Sequence, residues 1–169
     1  MQQKVLITGG SGLLAVNWAL SIRDNCSVVL ILHNRKISIP GVDSEVASLD
    51  SIKECLSVIN KYEPDVVIHT AGLANIEQCE KNVDLAQHIN VNLSENIASA
   101  CNELNVKLVH ISTDHLFSGK NKMSTEDGDI KPVNFYAKTK RWGELKAQEN
   151  CKDVLIIRTN FFGWGTKYR

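Results

Sequence analysis

The chain carries no excess of charge: its 169 residues hold 19 Lys plus Arg and 19 Asp plus Glu. That balance removes the electrostatic case for nucleic acid or an acidic membrane surface as a partner. No apolar run approaches the ~20 residues a helix needs to cross a bilayer. The five cysteines, Cys26, Cys55, Cys79, Cys101 and Cys151, include no pair with metal-ligand or redox spacing. Reduced thiols in a cytoplasmic protein are the expectation. There is no internal repeat and no low-complexity tract. The N-terminus is expected to enter a strand at once, without a signal peptide. Hydrophobic residues at 43% and charged residues at 22% exclude a disordered chain, and the length suits one domain with a proper core.

Apolar runs alternate with helical periodicities from end to end. Residues 5–7, 28–32, 46–49, 65–69, 106–111 and 154–157 read as strands. Residues 13–22 read as a helix. Ser51-Ile-Lys-Glu54 has the spacing of a capping box, and it opens a helix in which Ile52, Cys55, Leu56 and Ile59 recur at helical intervals. A long helix is expected over 84–104, with Ile89, Leu93, Ile97 and Cys101 on one face, and another over 136–149. Residues 118–134 hold two glycines, a proline and several charges, and read as a loop. Strands of near-continuous apolar character between amphipathic helices predict an α/β protein with a parallel sheet covered on both faces. In such sheets ligands gather at the carboxyl ends of the strands.

Two pieces of sequence fall at those ends and fit one chemistry. The first is Gly9-Gly-Ser-Gly12, where a strand turns sharply into a helix. Glycine there permits a left-handed backbone and a close approach to a diphosphate, and the helix start offers free N–H groups to the anion. Ala15 is the third small position. An acid closing the second strand would favour NAD by binding the ribose 2′-hydroxyl. This chain instead has His33-Asn34-Arg35-Lys36. Arg35, and less so Lys36, suits a 2′-phosphate, so NADP(H) is preferred, with NAD(H) as the second candidate.

The second piece is Ser112-Thr113-Asp114 followed by Tyr136 and Lys140. Residues four apart share a helix face. A phenol ordinarily titrates near 10, and a neighbouring ammonium is expected to lower that value. Thr113 could donate to a substrate carbonyl oxygen while Tyr136 supplies the proton. His69, His88 and His110 are expected to be core or supporting residues, with no metal site. Trp18, Trp142 and Trp164 are expected to pack rather than to stack bases. Cys79 lies near the presumed cleft without a basic partner.

With these residues in place, the chain resembles the extended short-chain dehydrogenase/reductases, and within them the dTDP-4-dehydrorhamnose reductase-like family. The likeness runs through Thr8-Gly-Gly-Ser-Gly-Leu-Leu, Pro64-Asp-Val-Val-Ile-His-Thr-Ala-Gly72, Ile76-Glu-Gln-Cys-Glu80 and Asn90. It continues through Ile111-Ser-Thr-Asp-His-Leu-Phe117, Glu126, Pro132-Val-Asn-Phe-Tyr-Ala-Lys-Thr-Lys140, Gly143-Glu144 and Arg158-Thr159. It implies a doubly wound Rossmann fold and a single NAD(P)-binding domain over 1–169. It further implies Thr113, Tyr136 and Lys140 as catalytic set, with Tyr136 and Lys140 also at the cofactor. Gly12, Leu13 and Leu14 would lie against the pyrophosphate, and Ala71, Gly72 and Leu73 along the cofactor. Asp114 and Phe161 would face a nucleotide sugar.

Several positions depart from the family pattern. His115 stands where Tyr is usual, Ala137 where Gly is frequent, and Ser48 in the place of an acid near the adenine, with Asp50 two residues on. Relatives also continue well beyond the sixth strand into a substrate region, so the chain reads either as the N-terminal part of a longer architecture or as a cofactor domain without a full substrate site. NADPH-dependent reduction of a nucleotide-linked 4-keto sugar is the expected activity. An epimerase or dehydratase and a non-catalytic cofactor-binding regulatory subunit stand as alternatives, and a homodimer is open to any of them.

Overall fold

Runs of valine, leucine and isoleucine dictate the middle layer of the protein. The computed structural model describes residues 2–119 and 124–161. There the strands are β1 (Gln3–Thr8), β2 (Cys26–Leu32), β3 (Asp43–Val46), β4 (Val66–His69), β5 (Lys107–Ser112) and β6 (Val154–Arg158), built on these runs except for the polar edge strand β3. Every neighbouring pair is parallel, and the order across the sheet is β3-β2-β1-β4-β5-β6. This is the doubly wound Rossmann order the sequence pattern implies. Strand addition reverses between β1 and β4, which opens a crevice above their carboxyl ends.

Alternation along each strand sends side chains to two separate cores. Val5 and Ile7 face one side with Val28, Leu30 and Ile68, against Ala15 and Ala19 of α1 (Leu13–Ile22). Leu6 faces the other with Val29, Ile31, Val67 and Leu108. That side lies under α2 (Ile52–Tyr62), α5 (Leu93–Glu103) and α6 (Phe135–Asn150). Each fully buried Leu or Ile adds roughly 1.5–3 kcal/mol of transfer free energy, which is why these strands are apolar at successive positions. Cover on the α1 side thins towards β6: Val109 and Ile157 are partly buried and Leu155 is 55% exposed.

Local signals place the helix ends. The Ser51 hydroxyl caps α2, accepting from the Glu54 N–H at 3.3 Å and donating to the Glu54 carboxylate at 2.9 Å. The helix stops at Glu63, which is left-handed at φ 46°.

Three expectations shift. The third strand is Asp43–Val46 rather than 46–49, because Leu49 is buried in the α2-side core. Its carbonyl accepts from Cys55 Sγ and Asn96 Nδ2 and pairs with no strand. The long helix is divided into α4 (Val83–Gln87), a π-helical turn at His88–Asn92, and α5. An unforeseen short helix, α3 (Ile76–Lys81), precedes it. Trp18 packs in the α1-side core, but Trp142 is 41% exposed and meets Phe135 edge-on. Trp164 lies outside the described residues.

The π-helical turn packs closely against α6. Gly143 of α6 lies so close to it that a Cβ there would overlap the Asn90 carbonyl oxygen. Gly143→Ala should therefore cost about 3 kcal/mol, as overpacking against main chain does. Gly41→Ala should cost about 1 kcal/mol from its positive φ alone, since nothing lies nearer than 4.0 Å. Urea unfolding of the two variants checks the difference, and equal losses would contradict this account of the packing.

Candidate active site

At the end of β1 the backbone itself shapes a cleft. Gly9 has φ 66°, and a Cβ there would sit 2.7 Å from the Ala71 nitrogen, so any other residue would block the approach of the two loops. Gly10 is equally confined, because a Cβ would come 2.7 Å from that of Leu30. The sequence pattern points to Gly9 and Gly12 and misses Gly10. Gly12 caps α1 without a side chain, so the first N–H groups of that helix are left open, as an anion site requires. They border a cavity of about 510 Å³ lined by Gly9, Gly12, Leu32, Ala71, Gly72 and Asp50, among others. Across its rim His88 Nε2 is 3.0 Å from Asp50 Oδ1, and the Ser48 hydroxyl donates to Asp50 Oδ2 at 3.0 Å.

The remaining residues expected at the cofactor divide. Leu14 packs inward against the α1-side core and Leu13 is 36% exposed, so only their backbone is available to an anion. Leu73 is held by its main chain. Arg35 is exposed just past β2 and does not line the cavity.

The second cluster forms where β5 meets α6. Thr113 is buried at the end of β5 and accepts from the His115 N–H at 3.2 Å. Tyr136 is the second residue of α6, behind the N-cap Asn134, whose side chain accepts from Ala137 N at 2.8 Å. The Thr113 hydroxyl lies near enough to the Tyr136 phenol to influence its titration, while it donates to Asp114 Oδ1 at 3.5 Å. His115 meets the Tyr136 ring edge-on at 5.9 Å. Asp114 is exposed beside them, and Phe161 is 43% exposed beyond β6. Lys140 lies one turn further along α6, buried, with Nζ donating to the Ile111 carbonyl at 2.7 Å.

One electrostatic expectation is corrected. Burial raises the Tyr136 phenol above its ordinary value, opposed in part by the nearby Thr113 hydroxyl and reinforced by Cys79 and Asp114. Lys140 does not lower it, because its ammonium is turned to the Ile111 carbonyl. Burial pulls Lys140 itself down to about 8, against the opposing attraction of Glu144.

A family model described as the RmlD substrate binding domain matches residues 3–165. The chain belongs to that family. It is 32% identical over 164 residues to the spore coat polysaccharide biosynthesis protein SpsK of Bacillus subtilis, covering 96% of this chain and 54% of that one. It is 36% identical over 110 residues to the dTDP-4-dehydrorhamnose reductase of Salmonella typhimurium, covering 64% of this chain and 37% of that one. Among solved structures, the dTDP-4-dehydrorhamnose reductase of Bacillus anthracis in complex with NADP superimposes with a TM-score of 0.79 at 28% identity. That match covers 94% of this chain and 53% of the other. The chain thus spans about half the length, or less, of these relatives.

In this RmlD-type domain three supporting features lie beyond the residues picked out for roles. Asn90, fully buried in the π-helical turn, accepts from Leu73 N at 2.7 Å and donates to Leu73 O at 3.1 Å and Thr139 Oγ1 at 3.0 Å. It thereby ties the cleft loop to α6. Glu144, also fully buried, takes two bonds at 2.9 Å from Arg158 and one at 2.7 Å from Arg141. Burial would raise its carboxyl, but the hydrogen bonds, led by that of Arg158, outweigh this and hold it below the usual range. Arg158 also donates to the Glu126 carbonyl at 2.7 Å. Beside it a second cavity, of about 610 Å³, opens between α6, β6 and residues 126–130, away from the glycine turn and Tyr136. The signal for Glu144 was its place one turn after Lys140.

The third feature is a row of polar residues under Lys140. Thr8, His69 and His110 lie in register across β1, β4 and β5. The imidazoles stack at 5.5 Å. His69 bonds Thr8 Oγ1 at 2.8 Å, whereas His110 has no hydrogen-bond partner at either nitrogen among the described residues. Burial, seconded by Lys140, pushes His69 down to about 3 and His110 well below its ordinary value. Among the described residues no group of three or more His, Cys, Asp or Glu could hold a metal ion, and no helix is long and apolar enough to cross a membrane.

Two pH-dependent outcomes follow. Below about pH 6.5 the unfolded chain takes up protons that the buried imidazoles refuse, so stability is full above that pH and falls as pH drops towards 3. By pH 4.5 His69 alone should remove roughly 2–3 kcal/mol, and His110→Phe should flatten the slope measured by urea unfolding from pH 7.5 to 4.5. Lys140 is depressed instead of raised, so its charged form opposes folding below pH 8, and that cost is relieved as pH rises from about 8 to 10.5. Lys140→Met should accordingly stabilise the domain by roughly 2 kcal/mol at pH 7, net of one lost hydrogen bond, with the gain shrinking at pH 9.5.

Proposed function

We propose that this chain is the nucleotide-binding domain, 1–169, of a cytoplasmic reductase that converts a nucleotide-linked 4-keto sugar to the alcohol. NADP(H) is the preferred cofactor, with NAD(H) second. The observation that carries this reading is that α6 sets Tyr136 and Lys140 beside Thr113, with the Lys140 ammonium against Gly72 of the cleft wall. The cleft suits a dinucleotide: Gly9 lets the two loops that shape it meet backbone to backbone, and the open start of α1 borders it. The relatives that are named reductases support the reaction type, and the NADP complex of one of them supports the cofactor. A nicotinamide bound there would supply hydride to the carbonyl carbon.

The chain's own residues would do the rest. Thr113 would donate to the carbonyl oxygen and orient it. Tyr136 would hand its proton to that oxygen as negative charge develops. A phenol held above its ordinary value keeps its proton at neutral pH but is the weaker acid for it, so transfer depends on the negative charge that develops on the substrate oxygen. Lys140, one turn behind, would hold the nicotinamide ribose, a role that requires its ammonium to leave or share the Ile111 carbonyl. Ala71, Gly72 and Leu73 would line the cofactor, Arg35 would swing to a 2′-phosphate, and Asp114 and Phe161 would lie on the sugar side.

Tyr136→Phe keeps the ring and removes the proton. Turnover of a nucleotide-linked 4-keto sugar, followed as NADPH consumption, should fall at least about 100-fold. NADPH affinity, measured by fluorescence titration, should stay within about twofold. Intact turnover in this variant would rule out the mechanism. A wild-type protein that transforms the sugar without net NADPH consumption would be an epimerase or dehydratase instead.

A further inference from the structure

Between the cleft loop and the helix bearing Tyr136 lies α3, which the mechanism above does not use. The helix follows the cleft loop directly, and the Cys79 thiol donates back to Leu73 O at 3.4 Å. One residue on, the Glu80 carboxylate accepts from the backbone N–H of Phe135 at 2.7 Å, a bond that spans 55 residues of sequence. Phe135 is the first residue of α6 and Tyr136 the second. The first N–H groups of a helix have no partner within it. Here Asn134 takes that of Ala137, and Glu80 takes that of Phe135. A carboxylate at this end also meets the positive pole of the helix, and a charge-assisted bond of this kind is stronger than a neutral one.

We propose that Glu80 is a positioning residue for Tyr136: it clamps the first turn of α6 to α3, so that the phenol stays within reach of Thr113. The need for a clamp is local. Further along, α6 is secured by Gly143 against the π-helical turn, by the buried Glu144 and by Lys140. Its first turn is held more lightly, by the Asn134 cap, the small buried Ala137 and the ring contacts of Phe135 and Tyr136. It follows residues 124–134, which contain neither helix nor strand, and Phe135 and Tyr136 are only partly buried. A misplacement of about 1 Å at a proton donor can cost 100-fold in rate. The catalytic consequence rests on Tyr136 being the proton donor; the clamp itself does not.

The test compares Glu80→Ala with Glu80→Gln in the full chain, because glutamine keeps an oxygen acceptor and alanine does not. Amide hydrogen exchange at residues 135–138 should quicken at least tenfold in Glu80→Ala and stay within about threefold of wild type in Glu80→Gln. The Tyr136 phenol, titrated by NMR and assigned with Tyr136→Phe, should move back towards its ordinary value in the alanine variant as water reaches it. NADPH affinity should be unchanged in both, while kcat falls about tenfold in the alanine variant and recovers in the glutamine one. Exchange at 135–138 that is the same in the alanine variant and wild type, or the same in both variants, would overturn the proposal. The exchange and titration readouts need no substrate, so a wild-type protein without reductase activity would sink the proposed function and leave this inference to be decided by them.

Discussion

Lys140 carries its ammonium to a place that water does not reach, and the neighbouring elements are arranged around that charge. Its immediate partner is a dipole, the Ile111 carbonyl, rather than a carboxylate. Glu144 is one turn away, but its oxygens already serve Arg141 and Arg158. Burial keeps the imidazoles beneath Lys140 neutral, and a buried cation held this lightly adds to that by tolerating little further positive charge near it. Their stacking and the Thr8 hydrogen bond are arrangements open to neutral rings. The polar row across the sheet is thus kept neutral by burial first and by the lysine above it second.

The same region joins the two ends of the site mechanically. Asn90 bonds both main-chain atoms of Leu73 and also Thr139, so the cleft loop and α6 share one side chain. The π-helical turn that presents Asn90 exists where Gly143 brings two helices almost into backbone contact. Interruptions of this kind are frequent at functional sites. The Glu144–Arg158 pair then extends the rigid zone to β6 and, through the Glu126 carbonyl, to residues 126–130.

What the sequence revealed was local, and what it hid was long-range. Apolar runs, the Ser51 cap, Gly9 and Gly12 before a helix, and the four-residue step from Tyr136 to Lys140 each sit within a few residues, so spacing alone discloses them. Gly10 is constrained by Leu30 on another strand, which no local pattern records. The stretch 46–49 looks like a strand because it is apolar, yet Leu49 is apolar for the sake of the α2-side core. The direction of the Tyr136 shift is decided by burial, which no local spacing records, while the Lys140 ammonium is turned to a carbonyl 29 residues away. Asn90 and Glu80 were visible as residues, but their partners lay 17 to 55 positions off.

The acceptor that anchors Lys140 belongs to the main chain. Every amino acid supplies a carbonyl there, so no substitution at position 111 can delete it, provided the strand keeps its course. Side-chain drift at that site is limited by packing alone. A sequence comparison would find nothing invariant to mark the anchor, because it is inherited through the fold and not through a codon. Glu144 offers the contrast: its two arginine contacts end with a single base change.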